Sequence, residues 1–100
     1  MAQVALLSRV RVKAGRGEEF VAAMKGVLAG AEEEAGTLLY VLQRARDDAE
    51  SFWVSEIYAD DAALEIHRRS AAMEAARPVL TELIETAESL VGDVVAAKGR

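Results

Sequence analysis

"SFWVSEIYADDAALEIHRRS", residues 51–70, contains the change of period that decides the fold. Its first eight residues alternate, with Phe52, Val54, Glu56 and Tyr58 on one face and Trp53 and Ile57 on the other. Period two, with aromatic and β-branched side chains, reads as a strand. Asp60 then stands where a helix needs its N-cap, because its carboxylate can accept from a free amide of the first turn. Beyond it, Ala63, Leu64, Ile66 and His67 form the inward side of a short helix. Upstream, "TLLYVLQRA" at 37–45 reads as another strand, and the polar "RDDAE" between the two predicts a hairpin.

Residues 3–13, "QVALLSRVRVK", also alternate, with Val4, Leu6, Ser8, Val10 and Val12 on one face. "AGRG" ends that strand. Residues 17–34 carry Phe20, Ala23, Met24, Val27, Leu28 and Ala31 at the spacing of an amphipathic helix. Glu18 and Glu19 fall in its first turn, where the helix dipole favours anions, and Gly36 lies just past its end. Gly26 and Gly30 are costly inside a helix unless something packs closely there. Ser70 recaps a further helical stretch whose stripe is Met73, Ala76, Leu80, Leu83 and Ile84, with Pro78 inside it as a kink or a new start. Residues 89–97, "SLVGDVVAA", read as a last strand softened by Gly92, and "KGR" as a frayed tail. The order is β-α-β-β-α-β with the second helical region broken in two. This is an α+β, ferredoxin-like arrangement in one domain spanning residues 1–100: four antiparallel strands with helices on one face.

Composition narrows the function. The 100 residues are 52% hydrophobic and carry a net charge of −5, with no basic stripe. Neither nucleic acid nor an anionic membrane surface is an expected partner. The chain has no cysteine and one histidine, so thiolate metal sites are excluded and no metal site is expected. No apolar run reaches the ~20 residues of a membrane span. The N-terminal stretch lacks the basic start of a signal peptide. A cytoplasmic protein is expected, and the Ala, Arg, Glu and Val bias suits a GC-rich bacterial genome. Both sheet faces carry apolar groups: Ala5 and Leu7, Leu39 and Val41, and Trp53 and Ile57 oppose the Val4–Val12, Leu38–Leu42 and Phe52–Val54 faces. Helices can cover only one of them. Sheet-on-sheet packing with a second copy is the economical solution, so a homodimer is expected.

Three stretches, "VRVKAGRGEEF" (10–20), "AGTLLYVLQR" (35–44) and "SFWVSEIYADDAALEIHRRSAAM" (51–73), resemble the antibiotic biosynthesis monooxygenase-like family of the dimeric α+β barrel superfamily. The last carries an aromatic near the strand start, Glu two before an aromatic, an acidic cap, and a His shortly before a Ser. The resemblance covers nearly the whole chain. It is more specific for fold than for reaction, since substrates and catalytic residues vary across the family. It implies a barrel-like dimer with a small-molecule pocket between sheet and helices in each subunit. It also implies oxygenation of aromatic quinols, anthrones or polyketide-like substrates by O2 with no cofactor. Haem-cleaving relatives carry Asn, Trp and His where this chain has Ser8, His67 and Arg77, so the resemblance does not extend to haem cleavage.

His67 titrates in the physiological range when unperturbed, which makes it the candidate catalytic proton acceptor or the orienter of a phenolic hydroxyl. Its plainer reading is a boundary histidine bonded to a strand or to solvent. Ser8, Tyr40, Trp53, Glu56, Tyr58 and Met73 are the candidate pocket residues, although aromatics and Met at such spacings also suit plain core. Glu56 is either a base or His67 partner, or, as preferred here, the ion-pair partner of Arg9 or Arg11. Periodicity leaves open which face of strand 51–58 meets the helices. Besides a monooxygenase, a non-catalytic ligand-binding or structural dimer fits the pattern. An isomerase-like or decarboxylating enzyme of a related α+β barrel fits it too.

Overall fold

A computed structural model describes residues 2–99, so Arg100 of the expected frayed tail lies outside the described residues. The elements are β1 (Val4–Val12), α1 (Gly17–Ala31), β2 (Thr37–Arg44), β3 (Ser51–Tyr58), α2 (Asp61–Arg68), α3 (Ala71–Leu83) and β4 (Ile84–Asp93). The strands form one antiparallel sheet in the order β2-β3-β1-β4. The ferredoxin-like α+β arrangement expected from the sequence is present.

Cross-strand partners share a face, so the register settles what periodicity left open. Val10 pairs with Phe52, Ser8 with Val54, Leu6 with Glu56 and Val4 with Tyr58. Phe52, Val54, Glu56 and Tyr58 are all buried beneath the helices. The core is built around Phe20 of α1 and Phe52 of β3, whose rings lie 4.7 Å apart and tilted. Val10, Val12, Met24, Val27, Val54 and Leu83 close around them. A tilted aromatic pair adds to its area burial because the edge of one ring meets the face of the other. At the margin, the Arg44 guanidinium lies over the Phe52 ring, 4.9 Å from its centre.

The caps hold as read. Asp60 Oδ1 accepts from the Ala63 amide at 2.8 Å, and Ser70 Oγ from the Met73 amide at 3.2 Å. Between these caps the chain turns from α2 into α3, and Arg77 Nη2 donates to the Arg68 carbonyl at 3.0 Å across that turn. Pro78 does not split the second segment, because α3 runs through it to Leu83.

Three features differ most from the sequence reading. Helix α1 ends at Ala31 rather than residue 34, and the chain then tightens into turns from Gly30 and Ala31 to Glu33 and Glu34. The last strand is Ile84–Asp93 rather than 89–97. "IETAES" has weak strand character, but β1 offers pairing along its whole length, from Val12 with Ile84 to Val4 with Asp93. Strand propensity yields to such context. Ile66, expected inward, is 63% exposed, because the α2 core face is carried by Ala63, Leu64 and His67.

Gly30 marks a close helix crossing, where an added Cβ would collide with the Ala72 Cβ, whereas Gly26 faces open space. Opposite signs follow. Gly26→Ala should stabilise by about 1 kcal/mol through helix propensity. Gly30→Ala should lose about 1–3 kcal/mol through overpacking. Urea unfolding midpoints check this, and two shifts of the same sign would contradict it.

Candidate functional site

The layer between sheet and helices is not completely filled. A cavity of about 310 Å³ lies there, lined by residues of all four strands and all three helices. Its walls are mostly apolar, including Leu6, Phe20, Met24, Leu64 and Met73. The polar lining is Ser8, Ser89, Tyr40, Glu56, His67 and Arg68. This is the low end of the ~300–1,000 Å³ range of small-molecule sites, and a few converging polar groups on apolar walls is their usual make-up.

His67 reaches this layer because Asp60 sets where α2 begins, placing the imidazole on the inner face of the helix's last turn. The residue is only 3% exposed. Its Nδ1 lies 2.8 Å from Glu34 Oε1. Its ring centre is 5.1 Å from that of Tyr40 and 5.5 Å from that of Tyr58. Thr37 Oγ1 also donates to Glu34 Oε1, at 2.7 Å. Thus the buried histidine has a carboxylate partner, and that carboxylate has a second donor.

Glu56 sits on the central strand β3, between Leu6 of β1 and Tyr40 of β2. The Tyr58 hydroxyl donates to its Oε1. Burial pushes the Glu56 carboxyl above the ordinary carboxylate range, and the hydrogen bond from Tyr58 and the nearby side chains of His67 and Arg68 oppose this only in part. Tyr40 and Tyr58 are pushed upward too, each by burial first. Tyr58 is raised further by its bond to Glu56, and Tyr40 by the negative charges of Glu56 and Glu34. Both phenols therefore stay neutral, and the Tyr58 hydroxyl donates to Glu56.

The expected ion pair of Glu56 with a strand arginine does not form. Arg9 and Arg11 alternate onto the other face of β1, where Arg9 meets Glu88 at 3.9 Å and Arg11 meets Asp48 at 2.5 Å. Trp53 is directly opposite Arg9 and shares that outward face, so it does not line the cavity. Tyr58 stands behind the wall, bonding to Glu56 and packing on His67. Ser8, Tyr40, Glu56, His67 and Met73 do come together around the cavity. Ser8 Oγ is 2.9 Å from Ser89 Oγ on the neighbouring strand.

Glu34, Arg68 and Ser89 were missed from the sequence. Glu34 continues the inner stripe three residues after Ala31, and that spacing was the available signal. Ser89 could be placed only with the β1–β4 register, which pairs it with Ser8. Among the described residues, no group of three or more His, Asp or Glu side chains converges in a way that could hold a metal ion. No helix there is long and apolar enough to cross a membrane.

Glu56 should leave a signature in stability. Its folded-state carboxyl titrates above the ordinary value of 4.5, so the native state keeps a proton that the unfolded chain releases. The stability it contributes is full below that ordinary value and falls as pH rises through the raised one. Glu56→Gln removes this titration. In denaturant unfolding from about pH 4 to about pH 8, the variant should gain on the wild type as pH rises. A difference independent of pH would contradict the assignment.

A model of the antibiotic biosynthesis monooxygenase family matches residues 4–79. Among curated proteins, none matches the chain. Solved structures share the fold at low identity. The Pseudomonas aeruginosa protein PA3566 has a TM-score of 0.89 at 24% identity, with 96% of this chain and 97% of that one covered. A Nitrosomonas europaea protein provisionally named an antibiotic biosynthesis monooxygenase has a TM-score of 0.90 at 17% identity, with 98% and 95% covered. A Shewanella oneidensis protein reaches 0.86 at 24% identity, with 93% and 91% covered. Such identities speak for the fold alone, but the family match spans most of the sequence, and the chain belongs to the antibiotic biosynthesis monooxygenase family.

Proposed function

We propose that the protein is a cofactor-independent monooxygenase of a small aromatic quinol or polyketide-like substrate. The observation that carries this reading is a buried imidazole on the wall of a mostly apolar cavity of about 310 Å³. Family membership supports the same chemistry. In this reading a phenol-bearing ring enters between Tyr40, Phe20 and Met73, and His67 accepts its proton. The electron-rich anion then reduces O2. One oxygen atom becomes a ring carbonyl and the other leaves as water, with the two ring hydrogens and four ring electrons closing the balance. The protein's part is orientation, exclusion of water and one proton acceptor.

Oxygen uptake by metal-free protein with a panel of quinols and anthrones tests this. Turnover is expected, with kcat lowered about 10²–10⁴-fold by His67→Ala, the usual worth of a general base. No uptake with any substrate contradicts the oxygenase, and tight binding without uptake would favour a ligand-binding protein. An undiminished rate in the variant would remove His67 from the chemistry.

We also propose that the active form is a homodimer packed through the uncovered sheet face. That face presents Ala5, Leu7, Leu39, Val41, Trp53, Ile57 and Leu90, with Leu7 43% and Leu90 72% exposed. Arg9 and Arg11 lie beside Glu85, Glu88 and Asp48 on the same face, so the patch carries both signs and can meet a copy of itself. Light scattering at micromolar concentration should give twice the 10.7 kDa chain mass, and Leu90→Arg should give the single mass with the fold retained. A wild-type monomer would contradict the proposal.

A further inference from the structure

His67 can serve as a base only through a nitrogen that carries no proton and is open to a ligand. Imidazole has two nitrogens, and the hydrogen bond made by one decides the state of the other. Nδ1 is engaged with Glu34 Oε1. Among the described residues, Nε2 has no hydrogen-bond partner and is not one of the fully enclosed unpaired atoms, while His67 is one of the residues lining the cavity.

The surroundings of Glu34 favour Nδ1 as the donor. Its side chain is 10% exposed, and that of His67 is 4% exposed. Thr37 Oγ1 already gives its hydrogen to Oε1. The second oxygen, Oε2, is enclosed with no partner. A proton placed on Oε2 would be a buried donor with no acceptor, which is costly. A proton placed on Oε1 would ask one hydroxyl oxygen to donate to Nδ1 while accepting from Thr37. An acceptor-only carboxylate at Glu34 satisfies Thr37 and an Nδ1–H together. Orphaned Oε2 is offset by the charge-assisted bonds at its twin oxygen.

We propose that Glu34 is a positioning residue: it holds His67 with Nδ1 protonated and presents Nε2 to the cavity as the open proton acceptor. Thr37, three residues on, fixes the carboxylate in turn. The consequence for turnover rests on the function proposed above, whereas the tautomer does not. A buried imidazole without this partner would be free to turn its ring or exchange tautomers, and only a fraction of molecules would offer Nε2 to a ligand.

The chain has one histidine, so ¹⁵N-histidine labelling gives a spectrum of His67 alone. At neutral pH the wild type should show a protonated, pyrrole-type Nδ1 and an unprotonated, pyridine-type Nε2. Glu34→Gln should lose that preference, because an amide can also turn its NH₂ towards Nδ1. In oxygen uptake, the same variant should lose kcat on the order of 10²-fold with KM little changed. A wild-type spectrum with Nε2 protonated, whether alone or in the imidazolium, overturns the proposal and needs no variant to fold. So does a folded Glu34→Gln with the wild-type spectrum. The expected tautomer in a protein that consumes no oxygen would leave Glu34 as the positioning residue and defeat the monooxygenase reading instead.

Discussion

The imidazole of His67 is enclosed between the sheet and α2, and the loss of water around it has to be offset inside the protein. The bond from Nδ1 to Glu34 does this, and much of the local architecture follows from it. Helix α1 has to stop at Ala31 so that the next turn can bring Glu34 under α2. Gly36 has to lack a side chain, because a Cβ there would collide with Ala63 on the same helix. Thr37, the first residue of β2, completes the carboxylate's partners. One polar contact thus ties the end of α1, the start of β2 and the last turn of α2 to the cavity wall.

Across the cavity, Glu56 is held differently. Its partner is the Tyr58 phenol two residues along the same strand, and burial disfavours its charged form. The two carboxyl groups therefore play distinct parts: Glu34 accepts from a histidine and a threonine, and Glu56 accepts from a phenol in a drier place. Environments that differ in this way let one small site both accept and supply protons. The apolar walls provide shape and dryness, which any ring binder of this fold needs. Under the proposed function, the polar groups are what would separate an enzyme from a binder.

Most of the fold was legible because its signals are local. Phe52, Val54, Glu56 and Tyr58 alternate, Asp60 and Ser70 cap, and the stripe from Phe20 to Ala31 has helical spacing. The site was legible in part. Ser8, Tyr40 and Glu56 lie on strand faces that alternation could group, His67 and Met73 on helix faces that helical spacing could, and they do surround one cavity. Trp53 could not be separated from them, since both faces of β3 are apolar and only the pairing with Arg9 shows which way it points. Glu34 was passed over although it falls three residues after Ala31, because it is the last of three consecutive glutamates at 32–34 and nothing in their composition sets it apart. The tightening of the chain after Ala31 turns the third one inward. The start of β4 escaped for a similar reason: its pairing with β1, rather than its own composition, makes it a strand.

The proposed function requires that this cavity take up a phenolic ring and that His67 remove its proton. Absorbance titration of the metal-free protein with a chromophoric, non-oxidisable phenol under nitrogen tests that requirement without turnover. The phenolate band should appear on binding at a pH where the free phenol is neutral, and it should vanish in His67→Gln. A ligand that binds but stays neutral, or a phenolate band unchanged in the variant, would contradict it.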